Sequence, residues 1–367
     1  MTSIGILTRH CYPNYGSLLQ TYALQSALNR LGATVRVIDY IPYGETTVRL
    51  AQSNLRDSRM RKRLSTRALY YAVQGPNFAV MNVRFRRYQR STLQLTEHVG
   101  SSADLAEVAR QLDAVVVGSD QVWSRIYGRI DPNYYLSGVS DAAKKYSYAA
   151  SFGSTDPPPE DGAQIRRWLS AYDVISVREP SAVRELGNLG LDARHDVDPV
   201  LLHGRDFWTH FASRERAVDH PYLLVYQIHN TPAFNERLRE ARRRHALPVR
   251  RVTIDGKQFF RRNASDYLAT PARFVQLFRN ASVVITDSFH GTAFSLLFGR
   301  PLYSLLPQKN AARSHDLLTS VGVGKLAVPA GAPLPGDPNY DTASVGNVLA
   351  TTAERSWQYL RTIVEST

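Results

Sequence analysis

The chain has 367 residues, 43% hydrophobic and 10% aromatic, with a formal net charge of +13 and a pI near 9.9. This composition excludes a disordered chain and is enough for about two domains. The single cysteine, Cys11, excludes an intrachain disulfide scaffold, no Cys/His cluster has zinc spacing, and no apolar run approaches the ~18 residues of a membrane-spanning helix. No basic region precedes a long apolar stretch at the N-terminus, so a cytoplasmic protein is expected.

In chain order, residues 3–8 read as a short buried strand, 17–31 as a helix whose glycine stop is Gly32, and 34–40 as a second strand, a β-α-β opening that predicts a parallel sheet. Between Arg56 and Arg90 stand ten basic residues and one acid, Asp57, interleaved with Tyr70, Tyr71, Phe78, Phe85 and Tyr88. Two readings stand for this segment: a face for phosphate-bearing acceptors or an anionic membrane surface, or a pair of solvated helices. It lacks a nucleic-acid-binding signature, so no nucleic-acid partner is expected.

A helix over 103–112 leads into a strand over 113–118, with further strands at 146–151 and 173–177 and a helix at 180–186. The proline-rich stretch 156–159 reads as a surface connection. A second α/β series follows: strand 222–229, helix 232–245, strand 249–254, helix 271–279, strand 282–286, helix 292–298 and a closing strand 303–306. A last helix over 343–364 is expected to pack back on the first lobe. The predicted fold is α/β, two Rossmann-like lobes facing across a cleft in a GT-B-like arrangement. The lobes are residues 1–205, with a basic helical insertion at about 50–95, and residues 206–340; the final helical segment is residues 341–367. Such sheets bind ligands beyond the carboxyl ends of their strands, and the candidate residues fall there.

After the first strand come His10, Asn14, Gly16 and Ser17, where a helix start suits an anion, or where Ser17 is only a cap and Gly16 only a turn. After the third predicted strand stands Gly118-Ser119-Asp120, whose Asp120 is a candidate base or a turn cap. Arg178 precedes a helix and suits a bidentate grip on carboxylate or phosphate, or a salt bridge with Glu179. Thr286-Asp287-Ser288-Phe289-His290-Gly291 is the sharpest signal: His290 is a candidate general acid or base, Asp287 the group that sets its tautomer, and Ser288 a small polar neighbour. Asn310 and Arg313 add an amide and a guanidinium, or cap the next helix. These groups describe an electropositive cleft without clustered carboxylates and without metal ligands, suited to a small anionic donor.

Read together, Asn14-Tyr15-Gly16-Ser17, Gly118-Ser119-Asp120-Gln121-Val122-Trp123, Tyr148-Ala149-Ala150-Ser151-Phe152-Gly153, Ser176-Val177-Arg178-Glu179, Asp198-Pro199-Val200-Leu201-Leu202 and Thr286-Asp287-Ser288-Phe289-His290-Gly291 resemble, in this order, the polysaccharide pyruvyl transferase family. The resemblance spans most of the chain. It implies a GT-B-like fold and transfer of the pyruvyl group of phosphoenolpyruvate to two sugar hydroxyls as a cyclic ketal, with no cofactor and no metal. On this reading Arg178, the Gly16/Ser17 helix start and Arg313 hold the donor, while His290 protonates its methylene or assists phosphate departure. Family members often carry a basic residue two positions before the histidine. Here that position is Ser288, so Arg313 or His10 is expected to supply the contact. The acceptor, a sugar or glycan that is lipid-linked, polymeric or small, and the oligomeric state are left open. A GT-B glycosyltransferase using a nucleotide-sugar donor is the alternative, because a diphosphate suits the same cleft.

Overall fold

The computed structural model describes residues 1–42, 64–125, 128–140, 142–153, 159–254, 265–307 and 311–367. The first half builds β1 (Ser3–Leu7), α1 (Tyr15–Arg30), β2 (Thr34–Tyr40), α2 (Leu64–Thr92), β3 (Leu95–Val99), α3 (Ser102–Ala109), β4 (Ala114–Val117) and β5 (Lys144–Ser147). The five strands form one parallel sheet in the order β3-β2-β1-β4-β5. The apolar runs of β1 and β4 are buried, as central strands covered on both faces must be. The sheet order reverses between β1 and β4, and the crevice outside their carboxyl ends is the place for a ligand.

The chain continues through α4 (Gly162–Leu169), β6 (Ser176–Val177), α5 (Pro180–Asn188), β7 (Arg194–His195), α6 (Pro199–Leu202) and α7 (Arg205–Phe211). The β6–β7 pair joins the first sheet through the bridges Tyr146–Val174 and Ala150–Val177. The strand expected over 146–151 ends at Ser147 instead, because Ala149 (φ 46°) turns the backbone out of the extended region.

The second half repeats the plan: β8 (Leu223–Tyr226), α8 (Pro232–His245), β9 (Val249–Thr253), β10 (Ser265–Tyr267), α9 (Pro271–Asn280), β11 (Val283–Thr286), α10 (Phe289–Leu297), β12 (Leu302–Leu305), α11 (Ala311–Ser320), β13 (Ala327–Val328) and α12 (Thr342–Ser366). Its six strands are parallel in the order β10-β9-β8-β11-β12-β13. The strand expected to close the series, β12, is followed by β13 at the edge. The switch of order falls between β8 and β11, so both sheets place a crevice at their centre.

The two sheets share packed side chains. Tyr15 of α1 stacks on Phe274 of α9 with ring centroids 4.7 Å apart, and its hydroxyl donates to the Ala269 carbonyl at 3.0 Å. Helix α12 buries Val345, Leu349, Ala353, Ser356, Tyr359, Leu360 and Ile363, one helical face. Its Tyr359 hydroxyl donates to the Ser147 carbonyl at the end of β5. Helix α2 also touches both halves: Gln89 donates to the His10 carbonyl, while Tyr88 donates to the Leu268 carbonyl.

Candidate active site

A cleft of about 230 Å³ opens at the facing carboxyl ends of the two sheets. From the first half it is lined by Arg9, Tyr12, Asn14, Ser17, Asp120 and Gln121, and from the second by Ile228, His229, Asp287, Ser288, Phe289, His290 and Arg313. On the first side, α1 begins at Tyr15, two residues before the expected start. Asn14 is the N-cap, and its Oδ1 accepts from the Gly16 N–H at 2.8 Å. The Gly16 N–H is therefore already satisfied, and Ser17 is not a cap. Its Oγ donates to Asp120 Oδ2 at 2.5 Å. Asp120 follows β4 with φ 75°, a left-handed conformation that Asp tolerates better than most residues.

Arg178, just past β6, organises the buried charge. Its Nη1 donates to Asp198 Oδ2 at 2.8 Å, its Nε donates to Glu179 Oε1 at 3.0 Å, and Asp120 Oδ1 lies 3.9 Å away. The guanidinium also sits 4.5 Å from the centroid of the Phe289 ring. Burial opposes charge on Arg178, yet Glu179, Asp198 and Asp120 more than offset it and hold the group protonated. Burial likewise opposes charge on Asp198, but the neighbouring His290 and Arg178 keep its carboxyl well below the usual range. Asp120 is held low against the same penalty, by Arg178 first and then His290, the Ser17 hydroxyl and Arg9.

His290 lies in the first turn of α10, which starts at Phe289 rather than at Thr292 because Ser288 caps it, accepting from the Gly291 N–H at 3.4 Å. The ring is buried, its Nε2 has no hydrogen-bond partner, and Asp198 Oδ2 stands 3.6 Å from that nitrogen. The Gly16 backbone presses on the other edge of the ring: a Cβ at residue 16 would fall on His290 Nδ1. The requirement for glycine here is close approach of α1 to the imidazole.

Several expectations change. Arg178 was expected to grip a donor anion or to pair with Glu179; its Nε and Nη1 pair with Glu179 and Asp198, while its buried Nη2 has no hydrogen-bond partner. Asp198 and Glu179, with Arg178, line a separate cavity behind Phe289, whereas the carboxylates lining the cleft itself are Asp120 and Asp287. Asp287 does not orient His290. Its Oδ1 accepts from the Ile228 N–H at 2.7 Å, and its Oδ2 accepts from the His229 N–H at 2.8 Å and meets His229 Nδ1 at 3.1 Å. His10 lies outside the cleft, fully buried, with Nδ1 3.2 Å from the Thr8 carbonyl and Nε2 3.0 Å from Asp39 Oδ1, which also accepts from Arg86 Nη1 at 2.9 Å. Asn310 lies outside the described residues.

Arg313, from the first turn of α11, lines the cleft as expected and has no carboxylate within ion-pair distance among the described residues. With the Gln121 amide turned oxygen-inward, Gln121 Oε1 accepts from Arg313 Nη1 and Nη2 at 2.5 and 2.8 Å. Burial, and then the like charge of Arg178, push its pKa down to about 10, so it stays cationic at neutral pH under electrostatic pressure that an anion relieves.

Sequence reasoning missed Asp198, His229 and Arg9 as site residues. Asp198 stands in one of the family-like motifs, but Asp-Pro reads as a helix start, and Asp198 does accept from the Val200 N–H. No local pattern signals His229, an exposed loop residue. Among the described residues no group of three or more His, Cys, Asp or Glu has metal-holding geometry. No helix among them is long and apolar enough to cross a membrane.

The architecture is that of GT-B proteins. Similar solved structures include UDP-N-acetylglucosamine 2-epimerases from Methanocaldococcus jannaschii (12% identity, TM-score 0.53, covering 98% of this chain and 99% of that one) and Rickettsia bellii (11%, 0.52, 100% of each chain). A third, from Neisseria meningitidis and bound to UDP-GlcNAc, shares 10% identity at TM-score 0.51, covering 99% of this chain and 94% of that one. At these identities the likeness is one of fold. No curated protein matches the chain. The polysaccharide pyruvyl transferase family model matches residues 14–308, and the chain belongs to that family. Membership makes it a transferase, with polysaccharide pyruvylation as its general activity.

Proposed function

We propose that the protein transfers the pyruvyl group of phosphoenolpyruvate to two hydroxyls of a sugar, forming a cyclic ketal. The observation that carries this reading is Arg313, a cation lining the cleft beside His290 with no carboxylate partner among the described residues. An anionic donor answers that charge, and the modest cleft volume suits a three-carbon phosphate. Arg313 and Arg9 hold the donor's phosphate and carboxylate, with the end of α1 behind them. His290 gives a proton to the donor's C3 methylene, which makes C2 electrophilic. One sugar hydroxyl oxygen bonds to C2, then a second replaces the phosphate oxygen, and inorganic phosphate leaves. Asp198 sits at the imidazole edge where it stabilises positive charge, and Arg178 fixes Asp198. Asp120, stabilised as the carboxylate, is a weak base near neutral pH and orients groups through Ser17.

The acceptor is a glycan or its lipid-linked precursor. The exposed face of α2 carries Val80 and Val83, 47% and 69% exposed, followed by Arg84, Arg87 and Arg90. That combination supports contact with an anionic membrane surface, where such a precursor resides. The basic stretch from Arg56 to Arg63 lies outside the described residues.

Calorimetry with phosphoenolpyruvate and with a panel of nucleotide sugars tests the donor. Wild type is expected to bind phosphoenolpyruvate and Arg313→Ala to lose at least tenfold in affinity, the scale of one charge-assisted contact. Binding of a nucleotide sugar alone would replace this reading with glycosyl transfer.

A further inference from the structure

Besides His290, the cleft holds a second imidazole, and it is mounted differently. His229 stands just beyond β8, the strand hydrogen-bonded to β11, whose end carries Asp287 and His290. Its backbone is fixed on both sides. The N–H donates to Asp287 Oδ2 at 2.8 Å, and the carbonyl accepts from Gln227 Nε2 at 2.9 Å and from the Thr231 N–H at 3.0 Å. The ring meets Asp287 Oδ2 through Nδ1 at 3.1 Å while its side chain stays 53% exposed. A carboxylate at Nδ1 places the proton there and leaves Nε2 as the acceptor. Asp287 is 5% exposed at its side chain, so the ring's orienting partner is shielded from water.

Resting on the donor reading above, we propose that His229 is the second acid–base group of the reaction. Ketal formation moves two protons. His290 protonates the methylene and is recharged by the first hydroxyl as that oxygen bonds to C2. The second hydroxyl oxygen then bonds to C2 while the bond from C2 to the phosphate oxygen breaks. His229 Nε2 takes that hydroxyl's proton and delivers it to the departing phosphate, which leaves as hydrogen phosphate. No proton is left over, and both imidazoles return to their starting state. Asp287 serves as positioning residue, balancing the charge that His229 acquires in transit.

The test uses the full chain, phosphoenolpyruvate and methyl hexopyranosides as diol probes, following phosphate release and the mass of products in rapidly quenched samples. His229→Ala and His229→Gln are expected to lose ~10²–10⁴-fold in kcat with KM for phosphoenolpyruvate within about twofold. They are also expected to accumulate the open adduct, donor plus sugar with the phosphate still attached. Added imidazole restores part of the turnover in His229→Ala, which a structural role does not predict. Wild-type kcat in both variants, or a loss with neither adduct nor imidazole rescue, overturns the assignment of His229 alone. Wild type that neither binds phosphoenolpyruvate nor releases phosphate overturns the donor reading, and this inference with it.

Discussion

Two histidines follow central strands of the two sheets, His10 after β1 and His290 after β11, and in the sequence both qualify for the same chemistry. Their surroundings separate them. His10 has acceptors at both ring nitrogens and lies outside the cleft, locked with Asp39 and Arg86. His290 lines the cleft with Nε2 unpaired and a carboxylate just out of hydrogen-bond range. Position at a strand end brings a residue near a ligand crevice, but what its ring nitrogens already pair with separates a locked imidazole from one with hydrogen-bonding capacity to spare. The two arginines differ in charge pairing: Arg178 forms ion pairs with Asp198 and Glu179, whereas Arg313 has no carboxylate within ion-pair distance among the described residues.

Exchanging each histidine for alanine separates their roles most sharply. His290→Ala is expected to lower kcat by ~10²–10⁴-fold with little change in melting temperature. His10→Ala strands Asp39 beside Arg86 alone and is expected to cost about 1–3 kcal/mol of stability in a denaturant melt, with turnover per folded molecule retained. Equal loss of turnover in both variants would erase the distinction. Arg178→Ala comes next: removing the counter-ion of Asp198 and Glu179 leaves buried charge unpaired and is expected to destabilise by about 3–5 kcal/mol. A variant of wild-type stability would show that the carboxylates do not depend on Arg178.

Gly16→Ala probes the contact of α1 with the imidazole. The added methyl displaces His290, so ~10²-fold in kcat is expected to be lost, the scale of an ångström-level misplacement, while affinity for phosphoenolpyruvate changes less. Steady-state kinetics beside calorimetry separates the two. The smallest effect concerns pH. Asp39 is held at about 2 against an ordinary 3.8; burial opposes the shift and the His10 and Arg86 contacts produce it. A depressed carboxyl contributes stability that is complete above the unfolded value and is lost as pH falls from 3.8 through about 2, on the order of 2 kcal/mol. Asp39→Asn should flatten that part of the acid unfolding curve, and an unchanged slope would show that Asp39 is not coupled to folding.

The long buried runs were legible. β1, β2, β4, β8 and β11, and helices α8, α9 and α12, follow from periodicity and caps because their side chains alone decide which faces are covered. The short strands β6, β7, β10 and β13 were only partly legible, since two or three residues carry no period and their pairing depends on neighbours distant in sequence. In the candidate site, motif position pointed to Asn14, Ser17, Asp120, Ser288, His290 and Arg313, which the fold gathers at one cleft. It did not reveal who partners whom. Asp287 reads as the natural companion of His290, three residues on, yet the turn aims its carboxylate at the β8 loop. Asp198, 92 positions away in the chain, takes the place beside the ring.

The most direct test of the central claim is a crystal structure of the protein with phosphoenolpyruvate bound. An anionic group of the donor is expected within hydrogen-bond reach of Arg313, and the C3 methylene about 3–3.5 Å from a ring nitrogen of His290. Donor density behind Phe289, beside Arg178, His195 and Arg355 and away from His290, would contradict it.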